Sequence, residues 1–172
     1  MKTVRVWDPF VRIFHWSLVL SLTINAFFNK GDSTAHHWIG YFVATLILAR
    51  VAWGFIGSNY ARFSSFPPSI VGSLEQASDI SVGRKTAHIG HTPLGALMIY
   101  NLISTVFVIC LSGYLMTTDA FWGTDWIEEL HRGAVTWAEF SAAIHIGAVF
   151  VESFRTKVNL PRAMITGYKN LP

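Results

Sequence analysis

Four apolar stretches, each long enough to cross a lipid bilayer, constrain this chain more than any other feature. They run from about Phe10 to Phe28, His37 to Ile56, Leu94 to Met116 and Gly133 to Phe154. Crossing roughly 30 Å of hydrocarbon takes about 20 helical residues. Lipid offers the backbone no hydrogen bonds, so spans of this kind are helical. Composition agrees: only 13% of residues are charged, against about 25% in an ordinary soluble domain. Trp is enriched where a membrane meets water, and the chain has seven. The expected fold is an all-α membrane protein, a single four-transmembrane-helix bundle over residues 1–172 running up-down-up-down. Short interfacial helices are expected in its loops.

The loops predict an orientation. With four spans, the N-terminus, the middle loop and the C-terminus share one side. Of the 13 Lys and Arg, only Lys30 and Arg132 fall on the other side, beside Asp32, Asp119, Asp125, Glu128 and Glu129. The positive-inside rule then places both termini in the cytoplasm. The first apolar run lacks a small-residue cleavage site and is expected to stay as an anchor. Cys110 is the single cysteine, which leaves no disulfide framework within one chain. A formal charge of +3 is too small to suggest a nucleic-acid partner. Two loop segments read as short helices at the membrane surface: SSFPPSIVGSLEQASDI in the middle loop, and FWGTDWIEELHRG before the fourth span.

Polar groups inside a membrane are costly, so each intramembrane histidine is a candidate for function. His15 lies in the first span near the terminal side. His36 and His37 open the second span on the far side. His131 opens the fourth span, and His145 follows it by fourteen residues. That step is a rise of roughly 21 Å and falls about 40° short of four full turns. One face of the fourth helix therefore offers an imidazole at each depth, with His15 as a possible partner for His145 and His36 for His131. Two facing histidines suit a haem iron, which brings four equatorial nitrogens of its own. A zinc or copper site wants three or four protein ligands at one point, whereas these pairs are about 20 Å apart in depth. A proton relay through His and Glu139 is a competing reading.

Gly40, one turn after His36, predicts room for a flat macrocycle against the second helix and favours His36 over His37. Arg50, on the same face fourteen residues after His36, falls at the depth of the His15/His145 pair. A buried Arg needs anionic partners, and haem propionates are the obvious ones. His88 and His91 stand before the third span, where His91, Thr92 and Pro93 read as a polar cap and first turn.

The ordered strings VWDPFVRIFHW (6–16), HHWIGY (36–41), RVAWGFIGSNYARFSSF (50–66), GHTPLGALM (90–98), DAFWG (119–123), ELH (129–131), IHIG (144–147) and NLPRAMITG (159–167) resemble the bacterial cytochrome b561 / nickel-iron hydrogenase b-type cytochrome family. The resemblance covers almost the whole chain. It implies a four-helix core with two bis-histidine haem b groups, one near each membrane face, with ligands at His15, His36, His131 and His145. The implied pairing is His15 with His145 and His36 with His131. His37 and Glu139 depart from the family's pattern. Filled axial positions favour electron transfer over chemistry at the iron. The expected role is electron exchange between the quinone pool and a redox partner such as a hydrogenase, a dehydrogenase or a cytochrome c. Alternatives are a stand-alone oxidoreductase that reduces quinone, such as a superoxide oxidase, and a non-redox haem-binding membrane module.

Overall fold

The computed structural model describes residues 2–29, 31, 33–84 and 88–171. Lys30, Asp32 and Lys85, which enter the charge argument, lie outside the described residues. In chain order the elements are strand β1 (Lys2–Arg5) and helices α1 (Pro9–Phe27), α2 (Thr34–Ile56), α3 (Ile70–Ser81), α4 (Pro93–Leu115), α5 (Asp125–Thr156) and α6 (Leu160–Thr166). Strand β2 (Tyr168–Leu171) follows. A short 3-10 turn, Phe63–Ser65, lies between α2 and α3. Four of these helices, α1, α2, α4 and α5, are long and apolar enough to cross a membrane.

The helix starts follow from local chemistry. Asp8, Ser33 and Thr92 each accept the N–H three residues on, from Val11, His36 and Gly95 at 2.9, 3.2 and 3.0 Å. Pro9 and Pro93 occupy the first helical position, where a missing N–H costs nothing. Asp8 does more than cap: its second carboxylate oxygen accepts from Trp53 Nε1 at 3.1 Å and from the Ser58 hydroxyl. The start of α1 is thereby fastened to the end of α2. Burial opposes ionisation of Asp8, but the donations from Ser58, the Val11 N–H and Trp53 outweigh it and hold the carboxyl below its usual range.

Helix α1 packs on α2, α2 on α4, and α4 on α5, while α3 rests against α4. Phe14, Val43, Ile47 and Val106 are the buried centre where α1, α2 and α4 meet. Outward faces carry Leu20, Phe42, Leu48, Phe107 and Phe150, all exposed. Such an apolar exterior suits hydrocarbon rather than water. Within the α4–α5 contact, Asn101 donates to Ser141 Oγ and accepts from Trp137 Nε1, both at 2.9 Å. Polar groups in an apolar phase must find partners of this kind. The surface helix expected in the middle loop exists as α3, whose Gln76 accepts the Leu94 N–H at 2.9 Å and docks α3 on the start of α4.

Two expectations need correction. The segment FWGTDWIEELHRG is not a separate interfacial helix: from Asp125 onward it is continuous with α5, which runs 32 residues. That is about 48 Å, well beyond the hydrocarbon thickness. No proline interrupts it, and Asp125 and Glu128 sit in its first turn, where the helix dipole favours acids. Nor is the fold purely helical. Strands β1 and β2 pair antiparallel, Lys2 opposite Leu171 and Arg5 opposite Tyr168. Both chain ends therefore lie together at one end of the molecule. Gly167, at φ 90°, accepts the N–H of Val6 and Trp7 at 2.9 and 3.1 Å. A Cβ there would stand 2.7 Å from the Trp7 carbonyl oxygen, so the close approach requires glycine.

Candidate haem-binding site

The capping of α2 by Ser33 sets His36 in its first turn, and Asn25 of α1 donates to the His36 carbonyl at 3.1 Å. His131 lies in the second turn of α5. The structure brings these two together: their ring centroids are 6.3 Å apart, with planes inclined by 64°. Two imidazoles bound on opposite sides of a metal at about 2 Å each have centroids roughly 6 Å apart. His37 is exposed, 6.2 Å from His36 and turned away from this pair.

His131 is held on its other side by α4. Its Nδ1 lies 3.1 Å from the Ile109 carbonyl and 3.1 Å from Ser112 Oγ, and Ser112 is only 1% exposed. A carbonyl can only accept, and the Ser112 hydroxyl gives its own hydrogen to the Val108 carbonyl at 2.7 Å. Nδ1 therefore carries the proton, and Nε2 keeps its lone pair. Metal-binding histidines are oriented in this way. Gly113 lets the ring lie flat against α4: a Cβ there would sit 3.2 Å from His131 Cε1.

Nearer the chain ends, His15 of α1 lies within electrostatic range of His145 of α5. His15 Nδ1 and His36 Nδ1 are both buried without a hydrogen-bond partner among the described residues. A buried imidazole left so costs about 1–3 kcal/mol unless something else meets it. Among the described residues no three His, Cys, Asp or Glu side chains converge on a point. Paired histidines of this kind fit a haem, which supplies the remaining ligands itself.

Arg50 is 3% exposed. Its Nη2 donates to the Ala61 carbonyl at 3.2 Å, its guanidinium lies over the Phe63 ring, and Nη1 has no partner among the described residues. At Gly40 nothing lies within 4 Å of where a Cβ would stand. Glu139 is exposed, off the histidine face of α5. Thr92, not His91, caps α4. His91 is instead packed between Trp7 and Phe66, with ring centroids 4.7 and 4.2 Å away, so it is no polar surface group. Ser112, Gly113 and Asn25 were not singled out by the sequence. Their signal was faint: small or polar residues inside otherwise apolar spans.

The profile of prokaryotic cytochrome b561 matches residues 6–167. The chain belongs to the prokaryotic cytochrome b561 family. It is a membrane b-type cytochrome of electron transfer, and membership implies haem b. No curated protein and no solved structure matches the chain. The match spans the cytochrome from Val6, beside the terminal strand pair, to Gly167, which closes that pair.

Proposed function

We propose that this cytochrome holds two haem b groups, one between His36 and His131 and one between His15 and His145, and carries electrons across the membrane between quinone and a redox partner at one face. The observation that carries the reading is the facing His36–His131 pair, 6.3 Å between ring centroids, with the His131 proton fixed on Nδ1. A haem held by each pair would supply a one-electron couple, and two histidines on one iron would leave no site there for substrate.

The chain's own residues do the rest. Ile109 and Ser112 orient His131, and their contact with Nδ1–H raises the basicity of the opposite nitrogen. Asn25 and Ser33 fix the turn that carries His36. Helix α5 spaces the two pairs in depth by the fourteen-residue step, a rise of roughly 21 Å. Arg50 is assigned to the haem nearer the termini, where its free Nη1 would meet a carboxylate, and Gly40 would leave the α2 face open beside His36. The helices run up-down-up-down with both termini in the cytoplasm. The charge distribution of the loops supports that orientation, and the pairing of β1 with β2 supports an even number of crossings, with both ends on one side.

Reduced-minus-oxidised difference spectra and pyridine haemochrome titration test the reading. Two b-type haems per chain are expected, and His131→Ala and His145→Ala should each remove a different one. A ratio near one, or two haems surviving both substitutions, would reject the assignment.

A further inference from the structure

Four buried side-chain nitrogens outside the histidine pairs have no hydrogen-bond partner among the described residues: Arg12 Nε, Arg50 Nη1, His88 Nδ1 and His91 Nδ1. Two of them, on Arg12 and His91, flank Trp7, with Arg50 beyond His91. The His91 ring is 4.7 Å from the Trp7 ring, and Arg50 lies within Coulombic reach of His91. Arg12 reaches the other flank, where its Nη1 would be 3.1 Å from a Cβ on Gly167, the residue whose carbonyl takes the Trp7 N–H. Lys169, 5% exposed, adds a fourth nitrogen base 5.4 Å from the Trp7 ring centroid and donates to the His88 and Gly90 carbonyls.

Two acids near this cluster are already engaged. Asp8 accepts from the Val11 N–H, Trp53 and Ser58, and it acts on Arg50 through space without a hydrogen bond to it. Glu152 accepts two bonds from Arg155, both at 2.9 Å. A guanidinium nitrogen buried without a hydrogen-bonded anion is costly, and the planar guanidinium fork matches a carboxylate or a phosphate.

We infer that Arg12 and His91, together with Arg50, form a receptor for the carboxylate side chains of the haem held by His15 and His145. This rests on the haem reading above and extends it to two residues that reading does not use. Arg12 stands three residues before His15 on α1, about 4.5 Å nearer the chain ends and roughly 60° around the helix. A lipid headgroup presents the same anionic chemistry, but Arg50 is sealed inside the bundle at 3% exposure, where a headgroup does not reach. His91 serves as a neutral donor. Burial, with Lys169 and Arg50 adding to it, pushes its imidazole down to about 3, and no acid acts on it. It therefore contributes a hydrogen bond without a further charge.

The test uses the purified holoprotein in nanodiscs, with the midpoint potential of each haem assigned through the His131→Ala and His145→Ala variants. Arg12→Gln should lower the potential of the His15/His145 haem, because a lost cation favours the oxidised iron, and should leave the other haem unmoved. Arg12→Lys should recover part of the shift, and His91→Gln should give a smaller one. Reconstitution of the wild type with haem dimethyl ester should weaken retention at the His15/His145 site alone. It should also erase the difference between wild type and Arg12→Gln. Unchanged potential in Arg12→Gln with both haems present overturns the inference. So does ester haem retained as well as native haem, a readout that needs no variant to fold. A shift that appears only in phosphatidylglycerol discs and not in phosphatidylcholine discs assigns Arg12 to a headgroup instead. Failure of the wild type to hold haem between His15 and His145 at all is a different result, and it rejects the underlying reading.

Discussion

His131 shows how much of this site is decided one side chain at a time. Its ring is caught between α2, where His36 faces it, and α4, where Ile109 and Ser112 hold Nδ1. Gly113 makes that second contact possible, since a Cβ there would already crowd His131 Cε1 at 3.2 Å. Gly113→Val adds two further methyl groups against the imidazole, and a packed interior does not absorb such volume without shifting side chains. With two haems held as proposed, the expected outcome is loss of most of the His36/His131 haem with the other retained, read as a fall in haem per chain and the disappearance of one of two redox midpoints. Gly113→Ala should do less, because displacing the ring by a few tenths of an ångström suffices.

At the scale of the element, α5 is the ruler of the molecule. It runs unbroken from Asp125 to Thr156, so the two histidines share one rigid rod, and their relative angle is set by helix geometry alone. Inserting one Ala after Phe140 should rotate His145 by about 100° relative to His131 and advance it by about 1.5 Å. One pair then loses its facing geometry. The haem-to-protein ratio should fall towards one, with helix content by circular dichroism unchanged. Two inserted haems at full occupancy would show that α5 does not set the spacing. The spacing and shared face of His131 and His145 were legible in the sequence because helical periodicity is local. The continuity of α5 through Glu129–Gly133 was not, because Trp-rich, acid-rich turns suit a surface helix as well as the exposed end of a long one.

The whole molecule is closed by contacts between its two ends. Strand β1 pairs with β2, Trp16 Nε1 donates to the Met164 carbonyl at 3.4 Å, and Lys169 bonds the loop that leads into α4. Burial, partly offset by Glu152, lowers Lys169 from 10.5 to about 8. Between those values the unfolded chain binds the proton more tightly than the folded one, so folding is favoured progressively as pH rises through that window. Thermal midpoints of wild type and Lys169→Met should therefore diverge in favour of the wild type from pH 8 to 10.5. Their difference should be flat below pH 8. A difference independent of pH throughout would show that Lys169 stays charged in the folded protein.

By itself, the sequence determined the four spans, the candidate histidines and the spacing of two of them along one helix. These depend on hydrophobicity and helical repeat, which act within one segment. Tertiary structure decided that His36 rather than His37 lies beside His131, that Ser112 and Gly113 seat the ring, and that His91 packs between Trp7 and Phe66. It also decided that four-residue strands from opposite ends of the chain pair. Each of these depends on which helix faces which, and hydrogen bonds and packing between residues far apart in sequence leave no periodic trace along the chain.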